Sequence, residues 1–143
     1  MRFASIATLA ASGGTRDSYV IGEDIVFSIR LRCTCPVRSG KLSLRIYSSE
    51  GISVYHFMNQ DAGFDLVELH GIVDLRLTLP CQKLYPGKYH VALWLADTGD
   101  EPFDHIVQAI TFQVTPGGPA VFRPLYHGAA VVHEIAKWER LGG

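Results

Sequence analysis

The chain has 143 residues, 48% of them hydrophobic and 19% charged, with a formal net charge of −1. That length holds one domain with a two-layer core, and the composition is that of a folded chain rather than a disordered one. The near-zero charge supplies no field to gather nucleic acid or anionic lipid, and no apolar run approaches the ~20 residues of a membrane helix.

From the N-terminus, Phe3, Ile6 and Leu9 predict a first strand. The same residues have some features of a signal peptide, with one Arg and an Ala-x-Ser, but Ser5 and Thr8 interrupt the apolar core. Ile25, Phe27, Ile29 and Leu31 alternate as a second strand after a turn at 21–24. Cys33 and Cys35 end it; residues two apart on a strand point to opposite faces, so they are poorly placed to bond each other. With Cys81 they lack zinc-ligand spacing and read as small hydrophobes. Leu42, Leu44 and Ile46 give the next strand, and Ser49-Glu50-Gly51 a tight hairpin turn. The return strand alternates Ile52, Val54, His56 and Met58, which sets Tyr55 and Phe57 on its other side as outward aromatics.

Residues 59–65 are polar and read as a loop, and Val73, Leu75, Leu77 and Leu79 form a strand stopped by Pro80. Pro86-Gly87 is a turn signal in which Gly supplies a positive φ. Then Tyr89, Val91, Leu93 and Leu95 take one face, and His90, Ala92, Trp94 and Ala96 the other. A loop at 98–104 leads to Ile106, Ile110, Phe112 and Val114, and Thr115-Pro116-Gly117-Gly118-Pro119 closes the body. Strand signals about every ten residues predict an all-β, immunoglobulin-like or jelly-roll-like antiparallel β-sandwich. Residues 1–115 form it. Residues 116–143 are a linker and an apolar tail of the same domain, which adds a strand either to its own edge or to a second copy's.

Catalytic signatures are missing: there is no G-x-S-x-G elbow and no phosphate loop. The six histidines have no metal spacing, so no cofactor or metal is expected. What remains is the outer face of one sheet. The strands around Leu42, Tyr89 and Phe112 would share that sheet and turn Arg45, Tyr47, His90, Ala92, Trp94 and Gln113 outward, with Tyr55 at the edge. The opposite sheet would show Ser28, Arg30, Arg32, Asp74, Arg76 and Thr78, a solvated face. An aromatic plate beside hydrogen-bonding groups suits the apolar face and hydroxyls of a sugar ring. The same plate would equally suit the tail or a dimer mate. The candidate glycan-binding residues are therefore Trp94, His90, Tyr47, Arg45, Tyr55 and Gln113.

Four pieces occur in order: Gly22-Glu23; Ser49-Glu50-Gly51-Ile52-Ser53-Val54-Tyr55; Leu84-Tyr85-Pro86-Gly87-Lys88-Tyr89; and Asp104 followed by Phe112-Gln113-Val114. This order resembles the C-terminal domain of Wzt-type proteins, the ATP-binding subunits of bacterial ABC transporters that export O-antigen and related polysaccharides. The resemblance implies a sandwich that recognises a polysaccharide on the cytoplasmic side, at the inner face of the inner membrane. It also implies a homodimer with an exchanged C-terminal strand, and transporter ATP-binding and membrane subunits as partners. No nucleotide-binding domain precedes the sandwich in this sequence, so ATP hydrolysis is not assigned to it. The alternative is a structural or protein-interaction module of an export or biosynthesis complex, without direct glycan contact.

Overall fold

Alternating apolar residues place strands where the sequence predicts them, and one strand is long enough to serve two sheets. The computed structural model describes residues 1–119 and 121–141. Its strands are β1 (Arg2–Leu9), β2 (Ser18–Tyr19), β3 (Ile25–Ser48), β4 (Ser53–Met58), β5 (Leu66–Leu79), β6 (Gly87–Ala96) and β7 (Pro102–Val114). A single 3₁₀ turn, Asn59–Ala62, follows β4. The first sheet is β1-β3-β5; the second is β4-β3-β6-β7-β2. The pairs are antiparallel except β2 with β7, a short parallel contact that makes the second sheet mixed.

β3 runs for 24 residues where the sequence suggests two strands. Its ladder with β5 loses register between Cys33 and Val37. Pro36 sits in that gap, where a residue without an N–H breaks no ladder bond. β5 likewise starts earlier than expected, at Leu66, because Glu68 and Gly71 take positive φ and interrupt the alternation there. β7 starts at Pro102, which shortens the expected loop.

Between the sheets lie Ile25, Phe27, Ile29 and Leu31 from one half of β3, and Leu42, Leu44 and Ile46 from the other. Val91, Leu93 and Leu95 of β6 complete this core, and all ten are at most 5% exposed. Each such side chain contributes roughly 1.5–3 kcal/mol of burial before ordering entropy. Along one side the sheets are joined, since Asp104 accepts the Phe3 N–H at 3.0 Å. On the other side, between β4 and β5, an apolar hollow of about 440 Å³ opens over Ile29, Leu42, Phe57, Leu75 and Leu77.

The short sequence motifs have structural tasks. Gly22 takes φ +98° and donates its N–H to Gln82 at 2.7 Å. Glu23 accepts hydrogen bonds from both terminal guanidinium nitrogens of Arg16, at 2.6 and 2.8 Å, and from the Val20 N–H at 2.7 Å. The Arg16 guanidinium holds its carboxyl below the usual range. Gly87 is not a positive-φ turn residue, as expected from Pro86-Gly87, but the first residue of β6. Its missing side chain makes room for His127, whose Nδ1 would lie 3.4 Å from a Cβ there. Two residues on, Tyr89 donates its hydroxyl to the Tyr85 carbonyl at 2.5 Å. Burial pushes that phenol up to about 12.

The tail forms no strand among the described residues. It folds onto its own chain: Tyr85 donates its N–H to Val131 O at 2.8 Å, and His133 donates to Lys83 O at 2.7 Å. Lys83–Glu134 (2.8 Å) and His127–Glu50 (2.7 Å) add side-chain contacts, and Leu125 is buried. The last strand ends at Val114, and the tail covers part of the body. Among the described residues, no helix is long and apolar enough to cross a membrane.

Candidate functional site

Cross-strand partners share a face, so the ladder registers lay the outer surface of the second sheet out as rows. One row reads Met58 (β4), Ser43 (β3), Trp94 (β6), His105 (β7). The next reads His56, Arg45 and Ala92, and a third reads Tyr47, His90 and Thr111. Neighbours along a row are ~5 Å apart and successive rows ~7 Å. Lys88 and Gln113 follow in a fourth.

Ala92 is the low point. It is 9% exposed and stands between two taller rows, with Trp94 on one bank and the Tyr47–His90 pair on the other. Tyr47 and His90 are stacked, their rings 5.2 Å apart and 11° from parallel. The result is a groove of about 450 Å³ lined by Ser43, Arg45, Tyr47, His56, Met58, Ala92, Leu93, Trp94 and His105. Ser43 Oγ lies 2.8 Å from His56 Nε2. Both are hydrogen-bonding groups that a ligand hydroxyl can join.

Of the predicted residues, Trp94, Tyr47 and Arg45 line this groove together, and His90 supports one bank. Gln113 faces outward too, but in a separate hollow with Asp17, Lys88 and Thr111. Tyr55 is a correction. It stands opposite Ile46, and Phe57 opposite Leu44, so both rings face the interior, where they stack at 5.3 Å. The cause is an irregularity between Ile46 and Tyr47: Ser53 pairs with Tyr47 and Tyr55 with Ile46, leaving Val54 bulged. One extra residue exchanges the two faces of the strand beyond it. His56 and Met58 take the outer positions instead.

Ser43, His56, Met58 and His105 were not singled out from sequence. Ser43 was legible from parity, two residues before Arg45. His105 required the β6–β7 register, which jumps between Val91 and Leu93. The opposite sheet is solvated as expected, with Arg30 and Asp74 paired at 2.7 Å. Among the described residues, no three His, Cys, Asp or Glu side chains group to hold a metal ion.

The sequence profile of the Wzt C-terminal domain matches residues 1–127. The chain belongs to the Wzt C-terminal domain family. A crystal structure of the C-terminal domain of Wzt superposes with a TM-score of 0.73 at 14% identity, covering 92% of this chain and 83% of that one. Identity at that level shows a shared fold and no more. A Bacteroides fragilis protein assigned as a beta-galactosidase matches with a TM-score of 0.47 at 22% identity, over 73% of this chain and 15% of that one. A family 76 glycoside hydrolase from a bovine Bacteroides thetaiotaomicron strain gives 0.41 at 11% identity, over 78% of this chain and 20% of its own. No curated protein matches the chain. The match to the Wzt C-terminal domain rests on the whole sandwich, whereas the groove is described by this chain's own residues.

Proposed function

We propose that this Wzt C-terminal domain is a non-catalytic module that binds a bacterial polysaccharide along the outer face of its second sheet. The chain to be exported would be recognised on the cytoplasmic side, with transporter ATP-binding and membrane subunits as partners. The observation that carries the reading is the groove over Ala92, with the Trp94 ring on one bank and the stacked Tyr47–His90 pair on the other. Aromatic faces take the C–H side of sugar rings, and Ser43, Arg45, His56 and His105 stand within the same groove to bond hydroxyls. Binding of this type is modest, because sugars exchange hydrogen bonds with water for similar ones with protein. Micromolar to millimolar dissociation constants are expected, about 4–8 kcal/mol.

The test is NMR titration of the labelled protein with the producing strain's own polysaccharide. Shifts confined to the Trp94 indole and its row neighbours support the reading; unchanged spectra at millimolar repeat unit overturn it.

The tail supports a second element of the proposal, a homodimer. Trp138 is 92% exposed, Leu141 79% and Ile135 55%, an apolar end with nothing of its own chain over it among the described residues. A second copy would cover it by one twofold operation.

A further inference from the structure

A guanidinium drawn partly out of water is costly unless a partner replaces the lost hydration. The half-buried cationic side chains are those of Arg16, Lys41, Arg45 and Lys83. Three have carboxylates: Arg16 has Glu23 at 2.6 Å, Lys41 has Asp100 at 2.7 Å and Lys83 has Glu134 at 2.8 Å. The Arg45 guanidinium, among the described residues, has neither an ion pair nor a hydrogen bond. It stands in the middle row of the groove, between His56 on β4 and Ala92 on β6.

Arg45 is the one formally charged side chain among the groove's lining residues, beside the imidazoles of His56 and His105, and no Asp or Glu lines it; Lys88, further along the face, shares a separate hollow with Asp17. Nearby carboxylates are engaged elsewhere: Asp100 with Lys41, and Asp104 with the backbone N–H groups of Phe3 and His105. The opposite sheet is different, since Arg30 there has Asp74. We infer that the groove takes an acidic glycan, whose carboxylate or phosphate seats on Arg45 while a neighbouring sugar ring lies on Trp94. Arg suits this because its planar fork meets either anion with two parallel hydrogen bonds. The inference rests on the glycan-binding reading above and adds the charge of the ligand.

The test is titration of the full chain with three oligosaccharide probes of equal length: a neutral mannan oligomer, an oligogalacturonate, and a phosphorylated mannan oligomer. At low salt, at least one acidic probe is expected to bind about tenfold more tightly than the neutral one, as a charge-assisted pair provides. Added salt should erode that advantage and leave the neutral affinity unchanged. Comparing the two acidic arms tells carboxylate from phosphate. Arg45→Gln should bring the acidic probes down to the neutral affinity, while Arg30→Gln on the opposite sheet changes nothing; thermal melts establish that both variants fold. If neutral and acidic probes bind equally, the acidic preference is overturned and glycan binding stands. If no probe moves the Trp94 indole signal, the acidic preference is overturned, and titration with the producing strain's own polysaccharide decides glycan binding separately.

Discussion

Ala92 is the residue on which the groove depends, because its small methyl group leaves space between Trp94 and His90. Ala92→Phe would fill the floor, and Trp94→Ala would remove one bank. Both face outward, so the fold should survive, with Trp94→Ala losing ~1–2 kcal/mol of glycan affinity. Titration calorimetry beside a thermal melt checks this; unchanged affinity in both variants would place the ligand elsewhere. Glu23 has a different task. Its folded pKa lies below the ordinary 4.5 because of Arg16 and the Val20 N–H. Its stabilisation is therefore full above pH 4.5 and is lost as pH falls through the lower folded value. The Arg16 and Glu23 side chains are 37% and 31% exposed, so screening discounts the effect. Glu23→Gln should cost about 1 kcal/mol near neutrality, and the difference from wild type should shrink in acid melts. Tyr89 contributes to stability at alkaline pH. Burial raises its phenol from 10 to about 12, so its neutral form stabilises the fold up to pH 10 and that contribution is lost between the two values. Tyr89→Phe should remove this alkaline component and cost about 1 kcal/mol at pH 7, where the Tyr85 carbonyl loses its donor.

Among the elements, β3 and β4 show how far periodicity reaches. The alternation of Ile25 to Leu31 and of Leu42 to Ile46 identified both core-facing halves of β3, yet not that one strand joins two sheets. Pro36 and the two cysteines read locally as an ending, and only the pairing with β5 carries the backbone through them. In β4, both alternate sets are apolar enough to face a core: Val54, His56 and Met58 on one side, Tyr55 and Phe57 on the other. The bulge at Val54 decides between them, and a bulge leaves no mark in local composition. Tyr55→Ala should therefore lower stability by about 2–3 kcal/mol through lost packing, with the Trp94 indole still responding to glycan. A loss of binding at unchanged stability would show that Tyr55 touches the ligand after all. The outer face of β6 was legible because its period of two is unbroken. The rest of the groove was not, since His56 and His105 enter it through registers set by neighbouring strands.

For the whole molecule, the tail is the part on which the proposed homodimer turns. Its segment at 131–134 is held by Lys83 and Tyr85, while the end beyond it carries exposed Ile135, Trp138 and Leu141. Truncation after Glu134 should leave the sandwich and its melting intact and abolish a homodimer seen by light scattering. A truncated chain that stays dimeric at low concentration would show that this end does not join the subunits. The amino-acid sequence alone determined the all-β class, the core sets of β3 and β6 and the outward Trp94 over small neighbours, because strand periodicity is local and one buried face imposes it. It also contained the ordered family motifs, of which Gly22-Glu23 and Leu84–Tyr89 hold a turn and a strand entry. Tertiary structure decided which side of β4 faces the groove, how His105 comes beside Trp94, and that Arg45 is left, among the described residues, without a carboxylate. Those outcomes depend on register and on side chains far apart in the chain, and no local pattern encodes them.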